Sequence, residues 1–418
     1  MSASNKKTVD RAGETAEAAS PPALFALFID FFRLGLTAFG GPAMVAYIRE
    51  LAVARRHWLH KENFQDGVVL VQSVPGATAM QMAAYVGLKA RGIPGAVLTY
   101  AGFALPSFIL MLSLTAAYAH GRDLPSFVAL FSGLQVIVVA IVARATWSFG
   151  LELLHGLRVL LLATAAALLL WFGYSPFLVI AGAAVLGMVI FRGKAAAGTR
   201  YGVRKQSAEP VQPGEEFQGA QLKKYLLQLA TLVTIPIIAL SALAVIDAEL
   251  ARFALLMLRI DVFAFGGGFA SLPLMLHEIV DAHGWLDSKT FMDGIALGQV
   301  TPGPIVITTT FAGYLIYGLP GAFIGTAAIF TPSFLLVVGV SPVFDRLKNN
   351  PWFIRATTGI LASFVGLLLF VTVKFAMAVP WDPLRVILGL SAFVALMRKL
   401  DILYVVLIGA ALSLLLFR

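Results

Sequence analysis

RLGLTAFGG, residues 33–41, returns as RIDVFAFGG at 259–267, with Arg, Phe and both glycines in register at an offset of 226 residues. Further on, WLHKENFQDGVVLVQSVPG (58–76) is answered by WLDSKTFMDGIALGQVTPG (285–303) at an offset of 227. GIPGA (92–96) then matches GLPGA (318–322), and PSF at 106–108 matches PSF at 332–334, back at 226. The order of the matches is kept over most of the chain. The unit is too long for a solenoid repeat, so it is a duplicated domain. In a membrane, such a duplication points to a transporter.

Composition places the chain in a membrane. Hydrophobic residues make up 59% of the 418 and charged residues 13%, against about a quarter charged in soluble domains. Polar surface is too scarce to cover a soluble core of this size. The 38 Gly and 20 Pro fall largely inside apolar runs, where neighbouring helices can restore the freed backbone bonds. With no Cys and six scattered His, the sequence offers no disulfide, no thiol nucleophile and no metal site, and no cofactor is expected. The formal charge of +9 reads as loop charge; nucleic-acid binding is not expected, since no compact basic domain exists. Residues 1–23 are expected to be a cytoplasmic tail, without a signal-peptide core.

The fold expected is an all-α polytopic membrane protein built from an inverted-topology duplicated repeat. Its parts are a first repeat over 24–191, a cytoplasmic linker plus an extra helix over 192–249, and a second repeat over 250–418. Thirteen apolar segments are readable, six before the linker and seven after it. Equivalent points lie seven segments apart, so single crossings would turn the second half upside down. The charge bias conflicts with that count. Arg192, Lys194, Arg200, Arg204 and Lys205 put the linker inside, yet the loop with Arg49, Arg55, Arg56 and Lys61 would then lie outside. The acidic counterpart, with Glu278, Asp281, Asp287 and Asp293, would lie inside. Both conflicts vanish if the first two segments of each half are re-entrant hairpins, broken at FGGP (39–42), VPGA (74–77), FGGG (265–268) and TPGP (301–304). Thirteen plain crossings are the working expectation, with hairpins as the alternative and parity the same in both.

Candidate substrate-binding residues follow from the repeat. Arg33 and Arg259 each lie in an apolar helix six residues before FGG, and an intramembrane Arg is either paired or functional. Its fixed guanidinium suits an oxyanion; structural pairing with Asp30 or Asp261 is the competing reading. Gly40, Gly41, Gly266 and Gly267 let the backbone bend and present N–H groups at a broken helix end. Close helix packing would also favour them. Gln72, Ser73 and Gly76, with Gln299, Thr301 and Gly303, gather donors at the two Pro-Gly breaks. Helix-bending hydroxyls are the alternative there. Asp30, Asp261, Glu50 and Glu278 are the acids considered for proton coupling. Asp66 and Asp293 read as helix caps, and Pro106 and Pro332 as kinks.

The motifs LGLTAFGGP and VFAFGGG, each followed by WL, F, DG, Q and PG, resemble the chromate ion transporter family in its long form, with two homologous halves fused. The resemblance covers about 24–191 and 250–417. It implies a multi-pass bacterial inner-membrane protein, not an enzyme, that extrudes chromate, with sulfate as a structural analogue, and halves of opposed topology. Thirteen crossings are the usual arrangement for the family. The expected mechanism is alternating access at the interface of the halves. The alternatives are a transporter or channel for another small solute, with the Arg residues in structural salt bridges, and a membrane-embedded enzyme. The lipid bilayer and the oxyanion are the expected partners; proton coupling and a homodimer are left open. The halves are not equal: Gly35 stands opposite Asp261, Pro42 opposite Gly268 and Ala77 opposite Pro304.

Overall fold

The structure, a computed structural model, describes residues 22–39, 43–192 and 219–417. Its helices are α1 (Leu24–Thr37), α2 (Ala43–Arg49), α3 (Lys61–Ser73), α4 (Thr78–Gly121), α5 (Pro125–Leu153), α6 (Leu157–Trp171), α7 (Pro176–Ile190) and α8 (Gly219–Ile246). The second half repeats the series as α9 (Ala248–Phe263), α10 (Ser271–Met275), α11 (Ser288–Val300) and α12 (Thr308–Val340). A short α13 (Phe344–Lys348) is followed by α14 (Pro351–Ala378), α15 (Pro383–Met397) and α16 (Ile402–Leu416). Starts are set locally. Proline opens α5, α7, α14 and α15, where its missing N–H removes no intrahelical bond. Asp247, Asp287, Asp382 and Asp401 each accept from a first-turn N–H.

The thirteen apolar segments are present, but the first two of each half double back, so plain crossing gives way to the hairpin alternative for these four. Arg56 donates to Asp30 at 2.8 Å and the Trp58 ring stacks on Phe31. Had the chain run straight on from Thr37, residue 56 would lie about 28 Å farther along, at 1.5 Å per residue. Instead α2 and the π-helical turn Glu50–Arg55 return beside α1. In the second half Trp285 returns to Phe253, near the start of α9, at 5.6 Å between ring centroids. The next segment of each half is a hairpin with a Pro-Gly tip. Tyr85 in α4 donates to the Asn63 carbonyl in α3 at 3.0 Å, and Phe311 packs on Gly294 in the matching place.

The two tips are made the same way. Val74 and Thr301 are held extended by the prolines that follow. Gly76 and Gly303 then turn with φ of +122° and +112°, a region open to glycine. Farther on, Gly92 and Gly318, at φ +64° and +65°, fold α4 and α12 back on themselves, giving each a short arm (78–90 and 308–316) and a long arm (93–121 and 319–340). Thr99 closes the first of these turns by donating to the Ala83 carbonyl at 2.8 Å.

Equivalent helices of the halves run antiparallel. Along the two long arms, Tyr100 meets Phe330 and Phe334 while Phe108 meets Phe323. Thr146 in α5 shares a hydroxyl hydrogen bond of 2.9 Å with Thr372 in α14, its own counterpart at an offset of 226. A pseudo-two-fold axis therefore passes between those two threonines, and the halves are inverted. Each half lends its last two helices to the other. Gly187 of α7 packs on Gly359 of α14, while Ser413 of α16 donates to Ala129 and accepts from Gly133 of α5. Among the described residues, five helices are long and apolar enough to cross a membrane and four more are shorter and apolar. Those nine match the crossings left once four hairpins are set aside. They also return the loop carrying Arg49 and Arg55 to the positively charged side.

Candidate functional site

The four breaks meet in crossed pairs. The Gly76 N–H donates to the Ala264 carbonyl at 3.0 Å, and the Gly303 N–H donates to the Ala38 carbonyl at 3.1 Å. Each Pro-Gly tip thus sits against the Phe-Gly-Gly break of the opposite half. These are the same contact made twice by a two-fold relation. Broken helices expose N–H and carbonyl groups that a bilayer cannot satisfy, and burying them against one another satisfies them within the protein. Thr78 and Gly267 are in contact on one side of this junction, and Ile305 and Gly268 touch nearby.

Polar side chains converge there. Asp261, fully buried, accepts through Oδ2 from both the backbone N–H and the hydroxyl of Ser333, at 2.7 Å each. Ser333 Oγ in turn accepts from the Ala77 N–H at 3.0 Å. A strand of hydrogen bonds therefore runs from the first-half tip through Ser333 to Asp261. Gln81 is fully buried behind the same tip and donates to the Pro75 carbonyl at 2.5 Å. Three buried oxygens near the breaks have no hydrogen-bond partner: Gln81 Oε1, Asp261 Oδ1 and Ser107 Oγ. An unsatisfied buried polar atom costs roughly 1–3 kcal/mol, which makes this interior a candidate site.

The residues singled out from the sequence fall in three groups. Gly76, Gly303, Gly266 and Gly267 form the junction itself, the last two with φ of +100° and +88°. Gly40 and Gly41 lie outside the described residues. Ser73 and Thr301 donate to the carbonyls of Val69 and Gly298 in their own helices, so the helix-bonded reading describes both hydroxyls. Gln72 is exposed and Gln299 half-buried. Arg33 and Arg259 lie about one turn before the breaks, on exposed faces of α1 and α9. Neither pairs with the acid on its own helix: Asp30 bonds to Arg56, Asp261 to Ser333. The Arg259 guanidinium instead lies over the Phe177 ring, 3.8 Å from its centroid.

Of the remaining acids, Glu50 pairs with Arg55 on the surface, and Glu278, buried, lies 3.6 Å from His283 Nδ1. Asp66 and Asp293 are not caps. They stand mid-helix, and Asp287 caps α11 in place of Asp293. Asp293 instead holds Tyr118 and Gln135, through hydrogen bonds of 2.9 and 2.8 Å. Sequence reading missed Ser107, Ser333, Gln81, Tyr118 and Gln135. The repeated PSF carried the signal for the two serines, and the lone Gln inside an apolar helix carried it for Gln81 and Gln135.

A family profile described as Chromate transporter matches residues 25–188 and again 251–414. An uncharacterized transporter of Methanocaldococcus jannaschii is 41% identical over 392 residues, 94% of each chain. A probable chromate transport protein of Synechococcus elongatus is 30% identical over 80% of each chain. A chromate transport protein of Cupriavidus metallidurans is 29% identical over 81% of this chain and 79% of that one. No solved structure matches.

Proposed function

The chain belongs to the chromate transporter family, and from that premise we propose that it moves chromate, or the isosteric sulfate, across the bacterial inner membrane by alternating access at the junction of its two halves. The observation that carries this reading is the crossed pair of tip contacts, Gly76 to Ala264 and Gly303 to Ala38. Broken helix ends from both inverted halves meet at one place, and the N-terminal ends among them, those of α4 and of the Ile305–Ile307 turn that leads into α12, favour an anion. A tetrahedral dianion accepts from many directions, which suits the donors that the two tips free when they part from the opposite breaks. Arg33 and Arg259, one turn ahead of the breaks, add positive charge on the approach. Gly40, Gly41, Gln72 and Gln299 complete the set of proposed contacts.

Direction follows from the charge of the cargo. Export of an anion from a cell negative inside is helped by the potential, by roughly 2.3 kcal/mol per charge per 100 mV. Net efflux therefore needs no proton. Import would need coupling, and Asp261, buried at the junction, is the acid best placed to provide it. Purified protein in liposomes, given labelled chromate or sulfate with and without a proton gradient, tests substrate, direction and coupling together. Saturable flux should fall about tenfold or more in Arg33→Ala and Arg259→Ala with folding intact. Full retention of flux in both would remove the arginines from the site, and saturation by an uncharged solute would favour a different cargo.

A further inference from the structure

Ser107 and Ser333 hold the same place in the two halves, each directly after the proline of its long arm. Both are fully buried. Ser333 Oγ accepts from the Ala77 N–H and donates to Asp261 Oδ2. By the repeat, Ala77 corresponds to Pro304 and Asp261 to Gly35. Proline has no N–H to give, and glycine has no carboxylate to accept. Ser107 Oγ has no hydrogen-bond partner. Two differences, on two separate segments, have each removed one of the groups that its twin uses.

The surroundings of Ser107 restrict what could replace them. A Cβ on Gly35 would stand 2.7 Å from the Phe103 carbonyl oxygen, so α1 is too close for any side chain to enter from that position. A Cβ on Gly303 would meet Ser107 and no other residue within 4 Å. The hydroxyl therefore lies against the TPGP tip, beside the place where the Gly303 N–H meets the Ala38 carbonyl. An acceptor from outside the chain would reach it by way of the tip.

The geometry points to Ser107 as a substrate-contacting residue, whose hydroxyl donates to an oxygen of the transported oxyanion when the tip parts from the break. On the second half the Asp261 carboxylate occupies the matching position from within the protein. Carboxylate and oxyanion oxygens are alike as anionic acceptors, so one scaffold holds a fixed anion on one side and a mobile one on the other. This assignment builds on the oxyanion-transport reading.

The test compares wild type, Ser107→Ala and Ser333→Ala for melting temperature and for the concentration dependence of chromate and sulfate flux in liposomes. Ser107→Ala should melt at or above the wild-type temperature, because it removes an unpartnered hydroxyl. Its half-saturating concentration should nevertheless rise about tenfold, with the maximal rate little changed. Ser333→Ala should melt lower, since it strands Asp261 and the Ala77 N–H. Unchanged half-saturation in Ser107→Ala overturns the assignment. So does a melting loss equal to that of Ser333→Ala, which would make the hydroxyl structural. Absence of saturable flux in wild type overturns the transport reading, and the assignment falls with it.

Discussion

The two Pro-Gly hairpins descend from one ancestral unit and both tips are buried, yet the second is enclosed along its first helix while the first keeps an exposed polar face. In the second half, Phe291 through Ala296 are buried, and Asp293 draws hydrogen bonds from Tyr118 and Gln135 of the first half. In the first half Asp66 occupies the matching place and is exposed, as are Asn63 and Gln65. The counterparts of Tyr118 and Gln135 are Phe344 and Leu361, neither of which can donate. The second hairpin is therefore held by two polar bonds that Phe344 and Leu361 cannot supply to the first. An inverted pair whose hairpins are held differently is an asymmetric state, and exchanging the two situations gives the opposite state. That contrast supports the alternating-access reading.

The comparison breaks outright if the halves are not inverted. The native chain has no Cys, so single cysteines at Arg55 and Asp287 report topology cleanly. Impermeant thiol reagents should label Arg55→Cys from the cytoplasmic side alone and Asp287→Cys from the outside alone; labelling of both from one face would end the two-fold argument. A smaller effect separates the two aspartates. Asp293→Ala leaves the Tyr118 hydroxyl and the Gln135 amide buried without their acceptor, which should remove about 2–5 kcal/mol of stability. Asp66→Ala, at an exposed position, should change it by about 0.5 kcal/mol or less. Melting curves of the two variants check this, and equal losses would mean the hairpins are equivalent. The smallest effect lies on the axis. Thr146→Val and Thr372→Val should each cost about 1 kcal/mol, and the double variant less than their sum, because the bond between the two hydroxyls is lost in either while each also loses its own bond to the Val142 or Leu368 carbonyl. Additive losses would mean that the two hydroxyls are not coupled across the axis.

Much of the fold was legible in the chain. The offset of 226 between Arg33 and Arg259, and the Pro and Gly at 75–76, 92, 302–303 and 318, mark the breaks because those residue types act on their own backbone. The charge conflict at Arg49 and Arg55 already favoured hairpins. Plain crossings are nonetheless what the family resemblance implies, and apolar length alone cannot distinguish a helix that crosses from one that turns back. The candidate site was less legible. Arg33 and Arg259 stood out by charge, whereas the junction is made mostly of backbone groups and small hydroxyl residues. Ser107 and Ser333 carry no charge and sit in a motif that reads as a kink. Asp66 and Asp293 look identical in sequence, since the difference between them lies in partners on other helices.

By itself the sequence determined that this chain is apolar, duplicated, helical and broken at four places, because composition, period and the backbone limits of Pro and Gly are local properties. Only the tertiary structure decided which break meets which, and which acid holds which donor. Ala77 and Ser333 bond across 256 residues and Tyr118 and Asp293 across 175. A hydrogen bond depends on the position of both partners to within a few tenths of an ångström, and no spacing along the chain supplies that.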